Sequence, residues 1–439
     1  MELGWQEKWK AFTAGSREIC EEATKHLATP TSASFRRLIG FPNPVCMVRA
    51  KGCKMWDVDG HEYIDYYLGG GPLILGHGHP KVVEAIKNHL DEVGTTYFSA
   101  MGEYEMNLAK KIKERYKYVD LVRFTDSGMI ANMVALRIAR GYSKRDKFGY
   151  TARDKFARFE GQYHGSNEWL YPGTFVGPLT LFPGIPKSVM NDIVVLPWGD
   201  LNTCEKIIKR HENELSAILM CPALQQLIVD KEFLKGIREI TEESDIVLIF
   251  DEVASGFRVP PEYWEVTPDL VTLGKVVGGG LPIGAVCGKK EFMQLLSDPD
   301  PTRAVPHSGT FSGHDLAMVA GLATLEELDE TAYNYLDRIT DKLVKGMAEI
   351  FEDRKIEYQI LRLYSLFDHL FVSPDVKIKD SVDYFQKPDK QKRAKFFREL
   401  LYRGVYWVSG QHWIPLSTAH TGEDIEKTLT AIDEVAKIL

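Results

Sequence analysis

The sequence predicts an α/β protein, with a large domain on a mostly parallel seven-stranded sheet and a smaller α+β domain behind it. Three observations carry this. From about residue 78 to residue 289, short apolar runs alternate with amphipathic helical stretches. The runs are apolar at nearly every position, as in strands covered by helices on both faces. Beyond a long helical stretch at 315–350 the pattern changes to fewer, more widely spaced strands and helices. With 439 residues, 44% of them hydrophobic, the chain can fill one large core or two closely packed ones.

In chain order, "SREICEEATKHL" (16–27) has helical spacing with Ser16 as N-cap, and 45–67 alternates like a meander of short strands turning at Asp59-Gly60. Helices are expected over 79–93, 103–116, 129–142, 202–213 and 231–243. Between and after them come seven strands: "LVRFTD" (121–126), "KFARFEG" (155–161), "IVVLPWG" (193–199), "AILMC" (217–221), "IVLIFDE" (246–252), "LVTLGK" (270–275) and "GAVCGK" (284–289). One long helix covers 315–350. Strands near 357–373 and 405–409 then alternate with helices at 390–403 and 422–438. No linker rich in Pro, Gly or Ser interrupts the chain, so the parts should share an extensive interface. The expected division is 1–60, a segment joining the small domain; 61–325, the large domain; and 326–439, the small domain.

Lys+Arg number 54 against 62 Asp+Glu, a net charge of −8 with the signs interspersed, which disfavours nucleic acid as a partner. The six cysteines (Cys20, Cys46, Cys53, Cys204, Cys221, Cys287) occur singly, the start "MELGWQEKWKAF" has no apolar signal core, and no apolar run is long enough to cross a bilayer. A reduced cytoplasmic protein away from membranes is expected.

Ligands of a parallel sheet sit at the carboxyl ends of its strands, and three strand ends stand out. Ser127 and Gly128 follow the first strand and open a helix near Met129, where free N–H groups suit a phosphate; ordinary N-capping by Ser127 is the competing reading. Asp251 ends the apolar run "IVLIF", where a carboxylate is costly to ionise without a cation. Lys275 ends "LVTLG", shortly before Gly278 to Gly280; it is either a snorkelling surface lysine or an amine beside a ligand that the glycines let come close. A phosphate cradle, a buried carboxylate and a strand-end lysine together describe a site for pyridoxal 5'-phosphate. Its aldehyde condenses with lysine, its phosphate seeks a helix N-terminus, and its protonated ring nitrogen is the cation Asp251 would meet.

The spans "YHG" (163–165), "LIFDEVASGFR" (248–258), "TLGKVVGGGLPIGA" (272–285) and "GTFSGHDLAMVAGLATLEEL" (309–328) resemble the class III, fold-type I pyridoxal-phosphate aminotransferases. The branch they are most similar to is that of glutamate-1-semialdehyde aminomutase. "WDVDGHEYIDYYLGGGPLILGHGHP" and "LSTAHTGEDIEKTL" extend the likeness over nearly the whole chain. The resemblance implies that Lys275 forms the Schiff base and shuttles the proton, and that Asp251 pairs with the ring nitrogen. It implies ring contacts from Val253, Tyr163 and His164, and phosphate contacts from Ser127, Gly128 and Met129. Thr310 would reach the phosphate of the neighbouring subunit in a homodimer with shared active sites. In "GHGHP", His77 and His79 have no Cys or carboxylate cluster near them and make a poor metal set; no metal is expected. Glu252 either hydrogen-bonds locally or supports the ring.

The chain departs from the family pattern in reading Met129-Ile130 where Thr-Glu is common, and Cys221-Pro222 where Glu-Pro is usual. Both make the pocket less acidic. "SASFRRLIGF" loosely resembles a stretch whose arginine holds a substrate carboxylate, which makes Arg37 the candidate beside Arg36; a solvated basic pair is the bland alternative. Arg258 is expected in a structural ion pair. The reading is transamination between an amino compound, an amino acid in the first instance, and a carbonyl acceptor. An aminomutase or a racemase would use the same residues. A binding protein that kept the fold and lost the activity is the rival from another class, motivated by Met129, Ile130 and Cys221.

Overall fold

The structure, a computed structural model, describes residues 4–33, 36, 38, 40–143, 153–174, 182–408 and 412–439. Its strands are β1 (Met47–Lys51), β2 (Lys54–Asp57), β3 (Glu62–Asp65), β4 (Leu121–Thr125), β5 (Lys155–Phe159), β6 (Ile193–Leu196), β7 (Leu215–Met220), β8 (Val247–Asp251), β9 (Leu270–Gly274), β10 (Gly284–Gly288), β11 (Gln359–Leu363), β12 (Leu366–Leu370), β13 (Val405–Tyr406) and β14 (Ile414–Pro415). The central sheet has seven strands in the order β4-β10-β9-β8-β7-β5-β6. β10 runs antiparallel to both β4 and β9, and the remaining pairs are parallel. The mostly parallel seven-stranded α/β architecture is therefore as expected.

Burial on both faces explains the unbroken apolar runs. Along β7 and β8 successive residues alternate between two cores: Ala217, Leu219, Val247 and Ile249 face one, Ile218, Met220, Leu248 and Phe250 the other. The first of these cores is closed by the helix Gly128–Tyr142, whose Ala131, Val134, Ala135, Leu136, Ile138 and Ala139 are buried. The second is larger and continues into the carboxyl-terminal elements.

Outside the central sheet, the antiparallel β1-β2-β3 meander gains a parallel neighbour from near the other end of the chain, β13, with Val405 opposite Ile64. Trp9, fully buried, packs there with Met55, Tyr63 and Leu401, and its indole donates to the Asn43 carbonyl at 3.0 Å. The amino-terminal segment thus shares a core with the carboxyl-terminal strands and helices. β11, β12 and β14 form a third, antiparallel sheet.

Two helix expectations are corrected. The helix placed at 16–27 spans Ala14–Ala23 with Thr13 as N-cap, because Ser16 instead donates its hydroxyl to the Asp59 carboxylate at 2.7 Å. The long helix at 315–350 is two helices, Asp315–Glu326 and Glu330–Asp353, since Asp329 accepts from the Ala332 N–H at 2.8 Å and starts a new one. The strands expected near 357–373 are the hairpin β11-β12. Short elements at Trp5–Phe12, Ser381–Gln386 and β14 had no sequence signal strong enough to place them.

Candidate active site

Strand periodicity separates the two neighbouring carboxylates. Asp251 continues the Val247, Ile249 side of β8 and Glu252 the opposite one. On its side Asp251 Oδ2 accepts from Asn132 Nδ2 at 2.8 Å and lies 2.7 Å from His164 Nδ1, while Oδ1 accepts from the Val253 N–H at 3.0 Å. A carboxylate only accepts, so burial, which keeps the His164 ring neutral, leaves Nδ1 carrying the hydrogen. Asn132 is fixed in turn, with its Oδ1 accepting from Thr272 Oγ1 at 2.6 Å and its Nδ2 also donating to the His164 carbonyl at 2.8 Å. Helix, strands β8 and β9, and the loop after β5 therefore converge on one carboxylate.

Glu252, fully buried, accepts from Tyr116 Oη at 3.3 Å in the core beyond the sheet. Desolvation pushes its carboxyl up to about 8. Of the two roles left open for it, local hydrogen bonding is the one its surroundings match.

Next to β8, Lys275 follows Gly274 at the end of β9 with φ +50°, a left-handed conformation that a lysine holds only when its neighbours over-determine it. Desolvation brings its amine down to about 8; the Asp251 charge opposes that fall and Arg258 adds to it. The Nζ stands 4.5 Å from the centroid of Trp413. Gly71, at φ +104°, makes the slot: a Cβ there would come within 2.5 Å of the Trp413 ring and 3.7 Å of Lys275 Cδ.

Across the pocket, Ser127 caps the helix Gly128–Tyr142, its Oγ accepting from the Ile130 N–H at 3.3 Å. The first N–H groups of a helix have no partner inside it. Close packing requires glycine here, because a Cβ on Gly128 would meet both Val253 methyls at 2.6 Å and one on Gly284 would meet the Ser127 carbonyl at 2.1 Å. Val253 thus lies against both Gly128 and Gly274. Met129 packs against Gly165 and accepts weakly from Ser166 Oγ at 3.7 Å. Tyr163 is 41% exposed, its ring edge-on to Tyr171 at 6.4 Å.

Cys221 is buried, exchanging backbone hydrogen bonds of 2.9 and 3.0 Å with the Gln162 amide, and its Sγ lies 4.0 Å from His164 Nδ1. His164, Cys221 and Asp251 place nitrogen, sulfur and oxygen atoms within 4.8 Å of one another. Burial and the Asp251 charge push the thiol well up, so it is protonated and uncharged. His77 and His79 turn to different carboxylates, Asp65 at 2.7 Å and Glu327 at 3.9 Å.

Arg258 differs from expectation. It makes no ion pair among the described residues; its guanidinium donates to Ser365 Oγ at 3.1 Å, the Leu416 carbonyl at 3.0 Å and the Gly71 carbonyl at 2.9 Å. Thr310 is exposed, its carbonyl accepting from Tyr97 Oη, and no described contact joins it to Lys275, Asp251 or Ser127. Arg37 lies outside the described residues; Arg36 is exposed. Sequence reasoning missed Asn132, Trp413 and Gly71. An asparagine on the apolar face of "MIANMVALRIA" was a usable sign, while nothing in "QHWIP" announced Trp413.

A mostly parallel sheet carrying an amine, a carboxylate and a helix N-terminus at adjoining strand ends defines a fold-type I pyridoxal-phosphate transferase. The residues fit that cofactor: glycines clear the helix end for its phosphate, Asp251 suits its ring nitrogen and Lys275 its aldehyde. The chain belongs to the family described as Aminotransferase class-III, whose pattern it matches over residues 40–420. It is 38% identical over 439 residues to the glutamate-1-semialdehyde 2,1-aminomutase of Sulfurihydrogenibium azorense, covering 97% of this chain and 99% of that one. The omega-transaminase structure from Sphaerobacter thermophilus superposes with TM-score 0.87 at 30% identity over 96% of this chain and 97% of that one. A transaminase with PLP bound superposes with TM-score 0.86 at 26% identity, over 97% and 98%. The protein is a pyridoxal-phosphate enzyme acting on small molecules, and no helix among its described residues is long and apolar enough to cross a membrane.

Proposed function

We propose that this chain transfers an amino group from an amino acid or related amine to a carbonyl acceptor, with Lys275 as the proton carrier and Asp251 holding the proton on the ring nitrogen of the cofactor. Pyridoxal 5'-phosphate, when bound, supplies an aldehyde that condenses with amines and a protonated ring that withdraws electrons from the carbon losing its proton. The observation that carries this reading is that Lys275 and Asp251 stand at the ends of the adjacent strands β9 and β8, where the charge of Asp251 acts on the Lys275 amine. An amine brought down to about 8 has a neutral fraction near pH 7 large enough to take a proton, and its conjugate acid gives it back readily. Asn132 and His164 orient Asp251. Ser127, Gly128 and Met129 offer the helix end to the phosphate, with Val253 and Tyr163 as ring contacts.

The homodimer is part of the proposal. Thr310 precedes the exposed Phe311 (57%), and its carbonyl accepts from Tyr97, the neighbour of the exposed Phe98 (52%), a surface suited to burial against a second copy whose pocket Thr310 would complete. The cytoplasm is the proposed compartment, supported by the buried cysteines Cys53, Cys204, Cys221 and Cys287, none of them in a disulfide.

A second reading, return of the nitrogen to a neighbouring carbon of the same molecule, is favoured by the relative named an aminomutase. Turnover of a panel of amino compounds with and without an added keto acid separates the two, with Lys275→Ala as blank. Transamination requires the acceptor, whereas isomerisation proceeds without it. A chain that takes up cofactor yet shows no spectral change with any amine would leave neither reading standing.

A further inference from the structure

We propose that Trp413 is a positioning residue for Lys275: its ring face holds the protonated amine at one place in the pocket between taking a proton and giving it away. The inference rests on Lys275 being the proton carrier. Four observations support it.

The Nζ lies 4.5 Å from the ring centroid, within the range at which the negative face of an indole attracts an ammonium. The charged groups that reach this amine are Asp251 and Arg258, and of these only Asp251 favours its protonated form. Trp413 is an uncharged addition on that side. Its place is built: Gly71 leaves the room that any Cβ would take from the ring. The slot is also clasped, because Arg258 donates both to the Gly71 carbonyl and to the carbonyl of Leu416, three residues beyond Trp413.

The attraction is specific to one state of the carrier. When Lys275 takes a proton from the substrate carbon, the C–H bond breaks, its electron pair stays with the carbon, and the new N–H makes the amine a cation that the ring attracts. On delivery of that proton the cation disappears and the attraction with it. The ring thus keeps the loaded lysine in the pocket without binding the unloaded one, favouring the ammonium by about three- to thirtyfold.

The test uses the full chain freed of cofactor. Acetic anhydride reacts only with a neutral amine, so the pH dependence of its reaction at Lys275, read by peptide mass spectrometry, gives the midpoint of that amine. Trp413→Phe and Trp413→Leu leave comparable space for water and differ chiefly in the π face. The expected order of midpoints is wild type, then Trp413→Phe, then Trp413→Leu, with the last lower than wild type by about half to one and a half pH units. A midpoint in Trp413→Leu equal to or above that in Trp413→Phe overturns the proposal. Should either variant fail to fold, growth on a fluorinated tryptophan thins the π density without changing the shape; the midpoint should fall, and an unchanged one overturns the proposal equally. Borohydride trapping with pyridoxal phosphate runs in parallel. Label absent from wild-type Lys275 removes the functional reading itself, whereas label present with the wrong midpoint order removes only the role of Trp413.

Discussion

Asp251 and Glu252 share a peptide bond and meet opposite surroundings, because one step along a strand reverses the side chain. Asp251 receives three donors, and its replacement keeps the shape while removing the charge. Asp251→Asn should fold normally by circular dichroism yet lose on the order of a hundredfold or more in kcat. Glu252 makes the contrary prediction. Its carboxyl is raised to about 8, so between about pH 4.5 and 8 the folded state holds a proton that the unfolded chain releases, and stability falls as pH rises through that window. Glu252→Gln should abolish that slope, roughly 1.4 kcal/mol per pH unit at most, and should unfold at higher denaturant than wild type at pH 8. Denaturant melts at pH 5 and 8 would read both; a slope that survives in the variant assigns the pH dependence elsewhere. Both carboxylates were legible as a pair in the sequence, and period two would have told them apart. Asn132, one turn into a helix, was not read because its role depends on which strand lies beneath that turn. Trp413 depends on a contact with residues more than a hundred positions away.

At the level of elements, hydrophobic runs located the seven strands because burial on both faces writes itself into every residue. Helix ends were harder. One polar side chain decides them, as when Asp329 divides a stretch whose periodicity runs on, or Asp59 draws Ser16 away from its capping role. The helix Gly128–Tyr142 carries the element most exposed to test. Ser127→Ala removes the cap and should cost about 1 kcal/mol in thermal unfolding of the cofactor-free protein. Gly128→Ala places a methyl group 2.6 Å from both Val253 methyls and should weaken pyridoxal phosphate binding at least about tenfold, measured by equilibrium titration of its absorbance. An alanine variant that binds as tightly as wild type would show that the helix end is not the phosphate cradle.

Across the whole molecule the chain is tied by contacts that no local pattern encodes. β3 takes β13 as its parallel neighbour, and Trp9 packs on Leu401. Arg258 joins the loop after β8 to the glycine turn at Gly71 and to the β12 and β14 region, with carbonyls and a hydroxyl in place of the expected carboxylate. A single ammonium does not reach three acceptors arranged for a guanidinium fork. Arg258→Lys should therefore lower the free energy of unfolding by about 2 kcal/mol, and sedimentation of the same variant should leave the proposed dimer intact, since no described contact joins these acceptors to Thr310.

β10 lies between β4 and β9, and within the sheet it alone connects them. During synthesis, the strand leading to Ser127 and the strand ending at Lys275 both leave the ribosome before the segment that joins them. Until Gly288 has emerged, Ser127 and Lys275 are linked only through the helix Gly128–Tyr142, whose Asn132 meets Asp251 and Thr272 and whose Gly128 meets Val253. The last strand to arrive therefore locks together two sides of the proposed cofactor site that the helix has already brought face to face.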